Sequence, residues 1–408
     1  MATIRRKTIE NNAAEFLKYA RVCGIDLSWN NYERMLPQDG FARLGLSCSD
    51  CLMGPCRINP FDRNECKTVC GLDKNGLAYR SMMRLIGAKP GYTEDYIGSI
   101  LKACDDICTQ PVRASNGNAP TGYGVMDPEM INICFESVAW DPVIAIEKAG
   151  AEAKELAASV GAKGFNFSMV GVCCPIRKTV CGFADVEFAV LTGIMDGYVL
   201  GDNAVGLGKN AAKAYSTAVM SINEEPMAVL EKAAKAFAGR DKAKVKPDAS
   251  IVNIPITGYD SLVEESAKYE KIAVIGGGAN IKTTVGDSTV KLVKALTEKG
   301  IACFTFGNAS IAVAKAGITE NVYSTGGKIS GLLNYPAIAE KICLVCFPEL
   351  SLGDDVARAI WMGEKGKKVL TATELPVEGA AELADAIHER VEYCDSADLV
   401  KKALEIVG

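Results

Sequence analysis

From residue 129 onward, short apolar runs alternate with longer stretches of helical period. EMINICFESV (129–138) predicts a strand and DPVIAIEKAGAEAKELAASVGA (141–162) a helix, with Asp141 and Pro142 placed as N-cap and first-turn residue. FNFSMVGV (165–172) is a strand, DVEFAVLTGIM (185–195) a helix, GYVLGD (197–202) a strand and GKNAAKAYSTAVMSINEE (208–225) a helix. The charged stretch AFAGRDKAKVKPDAS (236–250) marks a boundary. A second series follows: strand KIAVIGGG, helix STVKLVKALTEKG, strand IACFTFG, helix ASIAVAKAG, strand EKICLVCF, helix DDVARAIWMGEKG, strand KKVLTATE, and a final helix to Val407. Strands alternating with helices imply parallel sheets covered on both faces, with ligands at the strand C-terminal ends. The back of the chain is therefore expected to hold two Rossmann-like α/β domains.

The front has a different texture. Residues 8–35 and 73–110 show helical spacing, and TQPVRASNGNAPTGYG (109–124) has the Gly, Pro, Asn and Ser content of a linker. Between the two helical stretches lies LGLSCSDCLMGPCRINPFDRNECKTVCGL (44–72), with five cysteines in 23 residues. The 408-residue chain has sixteen cysteines, nine of them before residue 150. No apolar leader core and no run of ~18 apolar residues is evident, so a cytoplasmic protein without a membrane span is expected. In that compartment thiols stay reduced, and clustered cysteines point to metal rather than disulfides. A net charge of −5 argues against general nucleic-acid or anionic-membrane binding. The one histidine, His388, sits in a helical pattern, which excludes His-rich zinc sites and histidine relays.

Cys48-x2-Cys51-x4-Cys56-x13-Cys70 offers four thiolates, with Gly54 and Pro55 shaping a tight loop. Such a loop can wrap a [4Fe–4S] cube and turn backbone N–H groups toward its sulfides. Structural zinc also uses Cys-x2-Cys pairs, so spacing alone leaves both open. Cys66 is the spare thiol.

These residues carry a resemblance. GFARLGLSCSDCLMGPCRINPF…VCG, with WNNYERMLPQDGF before it, closely resembles the N-terminal cluster region of the anaerobic nickel–iron carbon monoxide dehydrogenases, relatives of the hybrid-cluster proteins. YGVMDPEMINI, SMVGVCCPI, EFAVLTGIMDGYVLGD, AVIGGGAN and CFTFGNASIAVAKAG resemble that family's two α/β domains more weakly. The family's large helical insert is cut down here to residues 73–125. The resemblance implies a [4Fe–4S] electron-relay cluster on Cys48, Cys51, Cys56 and Cys70. It implies an N-terminal helical cluster domain over 1–80, a short helical segment and linker over 81–128, and α/β domains over 129–245 and 246–408.

The departures matter as much. Where the family places cysteines for a cluster bridging two subunits, this chain has Asp39 and Ser47. At the nickel–iron cluster, the family's histidine falls at Trp140 or a neighbour, and three of its cysteines fall at Ala204, Gly278 and Asn308. Cys174, with Cys173 beside it, matches, and Cys346 is a candidate for the last. None of the replacements supplies a thiolate, so nickel in its usual site is not expected.

A second iron–sulfur or mixed-metal cluster is expected on other cysteines. Cys104 and Cys108 are four apart on a helix and share a face. Cys174 and Cys181 follow a strand end, with Cys173 and Cys134 as weaker members. The competing reading is that these are small buried hydrophobes. Cys343 and Cys346 lie three apart on a strand and so on opposite faces, which favours core packing; Cys23, Cys303 and Cys394 are also expected in cores. VIGGGANIKTT (274–284) lacks the full dinucleotide fingerprint. Glu136, Trp140, Asp141, Arg177, Lys178 and Asn308 would line the same cleft. The functional expectation is electron transfer through the first cluster, with redox chemistry at a remodelled second site. The alternatives are a non-catalytic electron-transfer or scaffold subunit and a carbon monoxide dehydrogenase with an unusual ligand set. A ferredoxin-type carrier or partner redox subunit, in a homodimer or hetero-complex, is the expected partner.

Overall fold

The structure, a computed structural model, describes residues 11–62, 66–109, 114–120, 126–135, 142–169, 183–200, 209–246, 253–277, 287–326, 328–350 and 353–408. The fold is mixed α/β with parallel sheets, and the chain divides into two compact units. The first comprises residues 1–35, 118–254 and 281–285; the second comprises 36–117, 255–280 and 286–408. The stretch read from the sequence as a separate domain over 1–80 is shared between them. Among the described residues no helix is long and apolar enough to cross a membrane.

In the first unit, four parallel strands lie in the order Phe165–Met169, Ile131–Phe135, Met195–Leu200, Ala218–Ser221. Alternation splits Ile131–Phe135 between two cores. Ile131, Ile133 and Phe135 pack with helices Pro142–Ser159 and Pro226–Ala238. Cys134 turns the other way, toward helix Phe183–Leu191 and the N-terminal helix Asn11–Val22, whose Phe16 and Ala20 are buried. A Cβ at Gly197 would sit 2.7 Å from the Met220 side chain and 3.2 Å from Ala233. This central strand therefore needs a glycine where a helix presses on it. At the strand starts, the Asn132 amide donates to Asp196 at 2.8 Å, and buried Arg240 pairs with that carboxylate while donating to the carbonyls of Pro128, Met130 and Ile194. Burial nonetheless pushes Asp196 up to about 6.

In the second unit the sheet order is Glu392–Tyr393, Val369–Thr371, Ile342–Phe347, Ile272–Ile275, Ala302–Phe306, Val322–Thr325. Ile272 and Val274 face one core; Ala273 and Ile275 face the other. The first core is covered by helices Lys74–Leu85, Tyr96–Cys108 and Gly353–Glu364. Asp73 and Asp95 start the first two of these by accepting the amides of Gly76 and Gly98, each at 2.8 Å. Tyr79, Met82 and Met83 bury their side chains in this core, which is why the segment after the cysteine loop belongs to the second unit.

Two secondary-structure expectations need correction. The stretch 208–225 is not one helix: a short helix, Lys209–Lys213, gives way to the strand Ala218–Ser221. Pairing beside Met195–Leu200 and burial of Met220 override an alanine-rich local preference. The C-terminal helix is also broken, into Ala381–His388 and Leu399–Val407, with strand Glu392–Tyr393 between them.

Candidate metal centre

The cysteine loop is built from its flanks inward. The Asp39 carboxylate accepts the amides of Phe41 and Ala42, at 2.9 and 3.4 Å, and caps helix Gly40–Arg43. This gives Asp39 a structural task. Leu46 and Ile58 are buried and joined by a 3.0 Å backbone hydrogen bond, which anchors both ends of a small hairpin. Within it, Ser47–Cys48 pairs antiparallel with Cys56–Arg57, and Cys48 stands opposite Cys56. Cys51 lies in the connecting turn, where the Gly54 amide donates to its carbonyl at 3.1 Å. A Cβ at Gly54 would meet the Cys56 nitrogen at 3.0 Å and the Cys48 carbonyl at 3.3 Å. Only glycine lets the backbone close so tightly between the cysteines.

Cys70 sits in a second turn, tied by Thr68 N–H to the Leu72 carbonyl at 2.8 Å. The Thr68 hydroxyl accepts the Leu72 amide at 2.9 Å, which leaves its own proton for the Cys70 sulfur, 3.4 Å away. That hydrogen bond, helped by the Leu72 amide and the positive charge of Arg80, holds the Cys70 thiol below its ordinary value.

Both turns rest on helix Lys74–Leu85. Lys74 Nζ donates to the Pro60 carbonyl at 2.9 Å. Arg80 and Arg84, one turn apart on one face, both pair with Asp50, and Arg84 also reaches the Cys48 sulfur at 3.9 Å. Arg84 thus sets a cation against Cys48, and the positive charge of Arg80 favours the Cys70 thiolate. Cys51 and Cys70 are exposed; Cys48 and Cys56 are half-buried. Among the described residues no three His, Cys, Asp or Glu side chains group as ligands of one metal ion. The thiolates of a [4Fe–4S] cube are held apart by four irons and four sulfides, so a single-ion sphere is not the arrangement they need. The donor chemistry fits the cube: four accessible thiols, a loop without room for side chains at its tightest point, and cations placed against thiolate charge. Sequence reading missed Thr68, Arg80 and Arg84. The spacing of the two arginines on an expected helix, just after the cysteines, is the signal that could have found them.

The other candidate cysteines have different surroundings. Cys104 and Cys108 share a face of helix Tyr96–Cys108 and are buried in the apolar core of the second unit. Burial raises both thiols, Cys108 to about 12 and Cys104 further. Cys134 is buried in the first unit and pushed up to about 12. Cys173, Cys174 and Cys181 lie outside the described residues, as do Glu136, Trp140, Asp141, Arg177, Lys178, Ala204 and Gly278. Asn308 is the first residue of helix Asn308–Lys315.

Cys303, Cys346 and Cys394 are core residues as expected. The strand carrying Cys343 and Cys346 has a register shift between Ile342 and Leu344, so both thiols pack on the same core rather than on opposite faces. Cys23 is exposed, not core, because it follows the last turn of helix Asn11–Val22. The first two glycines of VIGGG, Gly276 and Gly277, are explained by packing. A Cβ at Gly276 would lie 2.4 Å from the Ile329 side chain, and one at Gly277 2.3 Å from the Glu349 carbonyl. His388 stands 3.0 Å from the Glu378 carboxylate.

No family model matches the chain. Carbon monoxide dehydrogenase 1 of Methanosarcina mazei is 36% identical over 125 residues, which cover 31% of this chain and 19% of that enzyme. Carbon monoxide dehydrogenase 1 of Carboxydothermus hydrogenoformans is 43% identical over 72 residues, 18% of this chain and 11% of that enzyme. Among solved structures, carbon monoxide dehydrogenase IV of Carboxydothermus hydrogenoformans superposes with a TM-score of 0.74 at 16% identity and covers 98% of each chain. The homologues and structural neighbours are carbon monoxide dehydrogenases. The structural likeness establishes the fold, and the sequence matches span a minor part of each enzyme's length.

Proposed function

We propose that this chain is a carbon monoxide dehydrogenase-like iron–sulfur redox protein that transfers electrons through one [4Fe–4S] cluster held by Cys48, Cys51, Cys56 and Cys70. When bound, such a cluster supplies one-electron exchange at low potential. Its redox partner is a ferredoxin-type carrier or a partner redox subunit. The observation that carries the reading is the hairpin that sets Cys48 opposite Cys56, with Arg84 3.9 Å from the Cys48 sulfur. Thiolate donors crowd negative charge at one place, and the two guanidiniums offset it. Asp50 holds both arginines in position. Thr68 donates to one sulfur and so favours its thiolate form. Gly54 lets the backbone close tightly between Cys51 and Cys56.

The test compares the anaerobically purified protein with Cys51→Ala and Cys56→Ala. The proposal expects a low-temperature electron paramagnetic resonance signal of a reduced [4Fe–4S] cluster in the parent protein. Each variant should lose both that signal and the bound iron. Undiminished iron and signal in both variants would refute the ligand assignment.

A further inference from the structure

Two tyrosines of the second unit meet hydroxyl to hydroxyl. Tyr323 lies on strand Val322–Thr325, and Tyr269 follows helix Tyr259–Ser266 by a turn, its N–H donating to the Ser266 carbonyl at 3.2 Å. Their phenolic oxygens are 2.9 Å apart. The Tyr323 hydroxyl is 2.7 Å from Glu265 Oε2, near the end of that helix, and Lys268 Nζ pairs with the same carboxylate oxygen at 2.7 Å. The lysine and the phenol hold the Glu265 carboxyl below its usual range, so at neutral pH it is ionised and can only accept. The single proton of Tyr323 therefore points at Glu265. Tyr269 is then the donor between the two hydroxyls, and it shares its proton with Asn321 Oδ1, also at 2.9 Å. The half-buried Tyr323 ring stands edge-on to the buried Phe304 ring, with centroids 5.7 Å apart.

The direction of these protons decides the chemistry. A phenol that loses an electron becomes a strong acid. The loss is easy at neutral pH only where a base stands ready for the proton, at about 2.6–3.2 Å between heavy atoms. Tyr323 meets that condition. Tyr259 and Tyr215 donate instead to backbone carbonyls, of Lys328 at 2.8 Å and of Leu191 at 3.1 Å, which are poor bases. Tyr393 stands 3.5 Å from Asp395, outside proton-transfer reach. Tyr92 is 95% exposed and faces solvent.

We propose that Tyr323 is a site of one-electron oxidation, with Glu265 as its proton acceptor and Tyr269 as the hydrogen-bond donor to the product. The co-reactant is a diffusible radical oxidant of the one-electron class, such as nitrogen dioxide or a peroxyl radical. The electron leaves the Tyr323 ring for the oxidant, which becomes its anion. The Tyr323 O–H bond breaks, and its proton passes to Glu265 Oε2. The neutral phenoxyl oxygen goes on accepting from Tyr269, and the ring is shielded on the Phe304 side. The pair thus acts as a sink for oxidising equivalents, whether or not the cysteine loop holds a cluster.

The experiment uses the full chain, with photogenerated tris(bipyridine)ruthenium(III) as the oxidant and samples frozen immediately after the flash. Electron paramagnetic resonance at liquid-nitrogen temperature reads the hyperfine-split tyrosyl signal. The parent should give one dominant tyrosyl radical. Tyr323→Phe should lose it, and Tyr92→Phe should leave it unchanged. Glu265→Gln, which keeps the shape and removes the base, should lower the yield by about tenfold or more at neutral pH. Tyr269→Phe should keep the radical but shift its g-anisotropy, because the phenoxyl oxygen loses a donor. Thermal unfolding confirms that each variant folds; Glu265→Gln decides the matter if Tyr323→Phe does not. Absence of a tyrosyl signal in the parent would overturn the proposal. So would a signal retained in Tyr323→Phe, lost in Tyr92→Phe, or undiminished in Glu265→Gln. An unshifted signal in Tyr269→Phe would overturn the role given to Tyr269.

Discussion

Glu187→Gln should change how this protein's stability depends on pH. Glu187 lies on helix Phe183–Leu191, is 5% exposed, and accepts both the amide and the hydroxyl of Ser28, at 2.7 and 2.8 Å. It fastens the start of helix Ser28–Arg34 within the first unit. Burial disfavours the carboxylate more than the two Ser28 hydrogen bonds favour it, and the group is pushed from 4.5 up to about 7. The folded protein therefore holds this proton where the unfolded chain has released it. Between pH 4.5 and 7 the folded state binds more protons, so the contribution to stability is present at low pH and falls as pH rises through 7. The whole displacement corresponds to ~3 kcal/mol, at 1.36 kcal/mol per pH unit. Glutamine keeps the shape, accepts the Ser28 amide and does not titrate. Urea unfolding of parent and variant at pH 5 and pH 8 isolates the effect, because every other titrating group cancels in the comparison. From pH 5 to pH 8 the balance should move toward Gln by roughly 2–3 kcal/mol, with the slope against urea unchanged. Parallel pH dependence in the two proteins would show that Glu187 is not buried as described.

Three further outcomes are expected. Gly45→Ala should destabilise the second unit by ~2 kcal/mol or more, because Gly45 has φ 75 and a Cβ there would lie 2.1 Å from the Pro376 carbonyl; thermal unfolding checks it. Arg84→Gln removes a cation 3.9 Å from the Cys48 sulfur and should move the cluster's midpoint potential in the negative direction, as read by potentiometric titration with unchanged iron content. In metal-stripped protein at neutral pH, iodoacetamide should label exposed Cys51 and Cys70, while buried Cys104, Cys108 and Cys134 react only after denaturation; peptide mass spectrometry reads the sites, and early labelling of Cys104 or Cys108 would contradict their core placement.

The parallel α/β architecture was legible because buried strands such as Ile272–Ile275 and Ala302–Phe306 are short, almost wholly apolar and bounded by helical periods. The strand Ala218–Ser221 was not, since its identity comes from its neighbour Met195–Leu200 and not from the alanine-rich stretch that leads into it. The cysteine loop could be found from spacing, yet its electrostatic support could not. Arg80 and Arg84 look like ordinary helix-surface cations until the fold sets Asp50 and Cys48 against them. Cys104 and Cys108 show the opposite case. Their spacing gave one shared helix face, and that face turned out to be core.

The measurement that bears most directly on the central claim is iron, acid-labile sulfide, nickel and zinc per chain in anaerobically purified protein. A single [4Fe–4S] cluster on Cys48, Cys51, Cys56 and Cys70 predicts about four irons and about four sulfides without stoichiometric nickel. About eight irons would place a second cluster on other cysteines and extend the account. One zinc per chain with neither iron nor sulfide would contradict it.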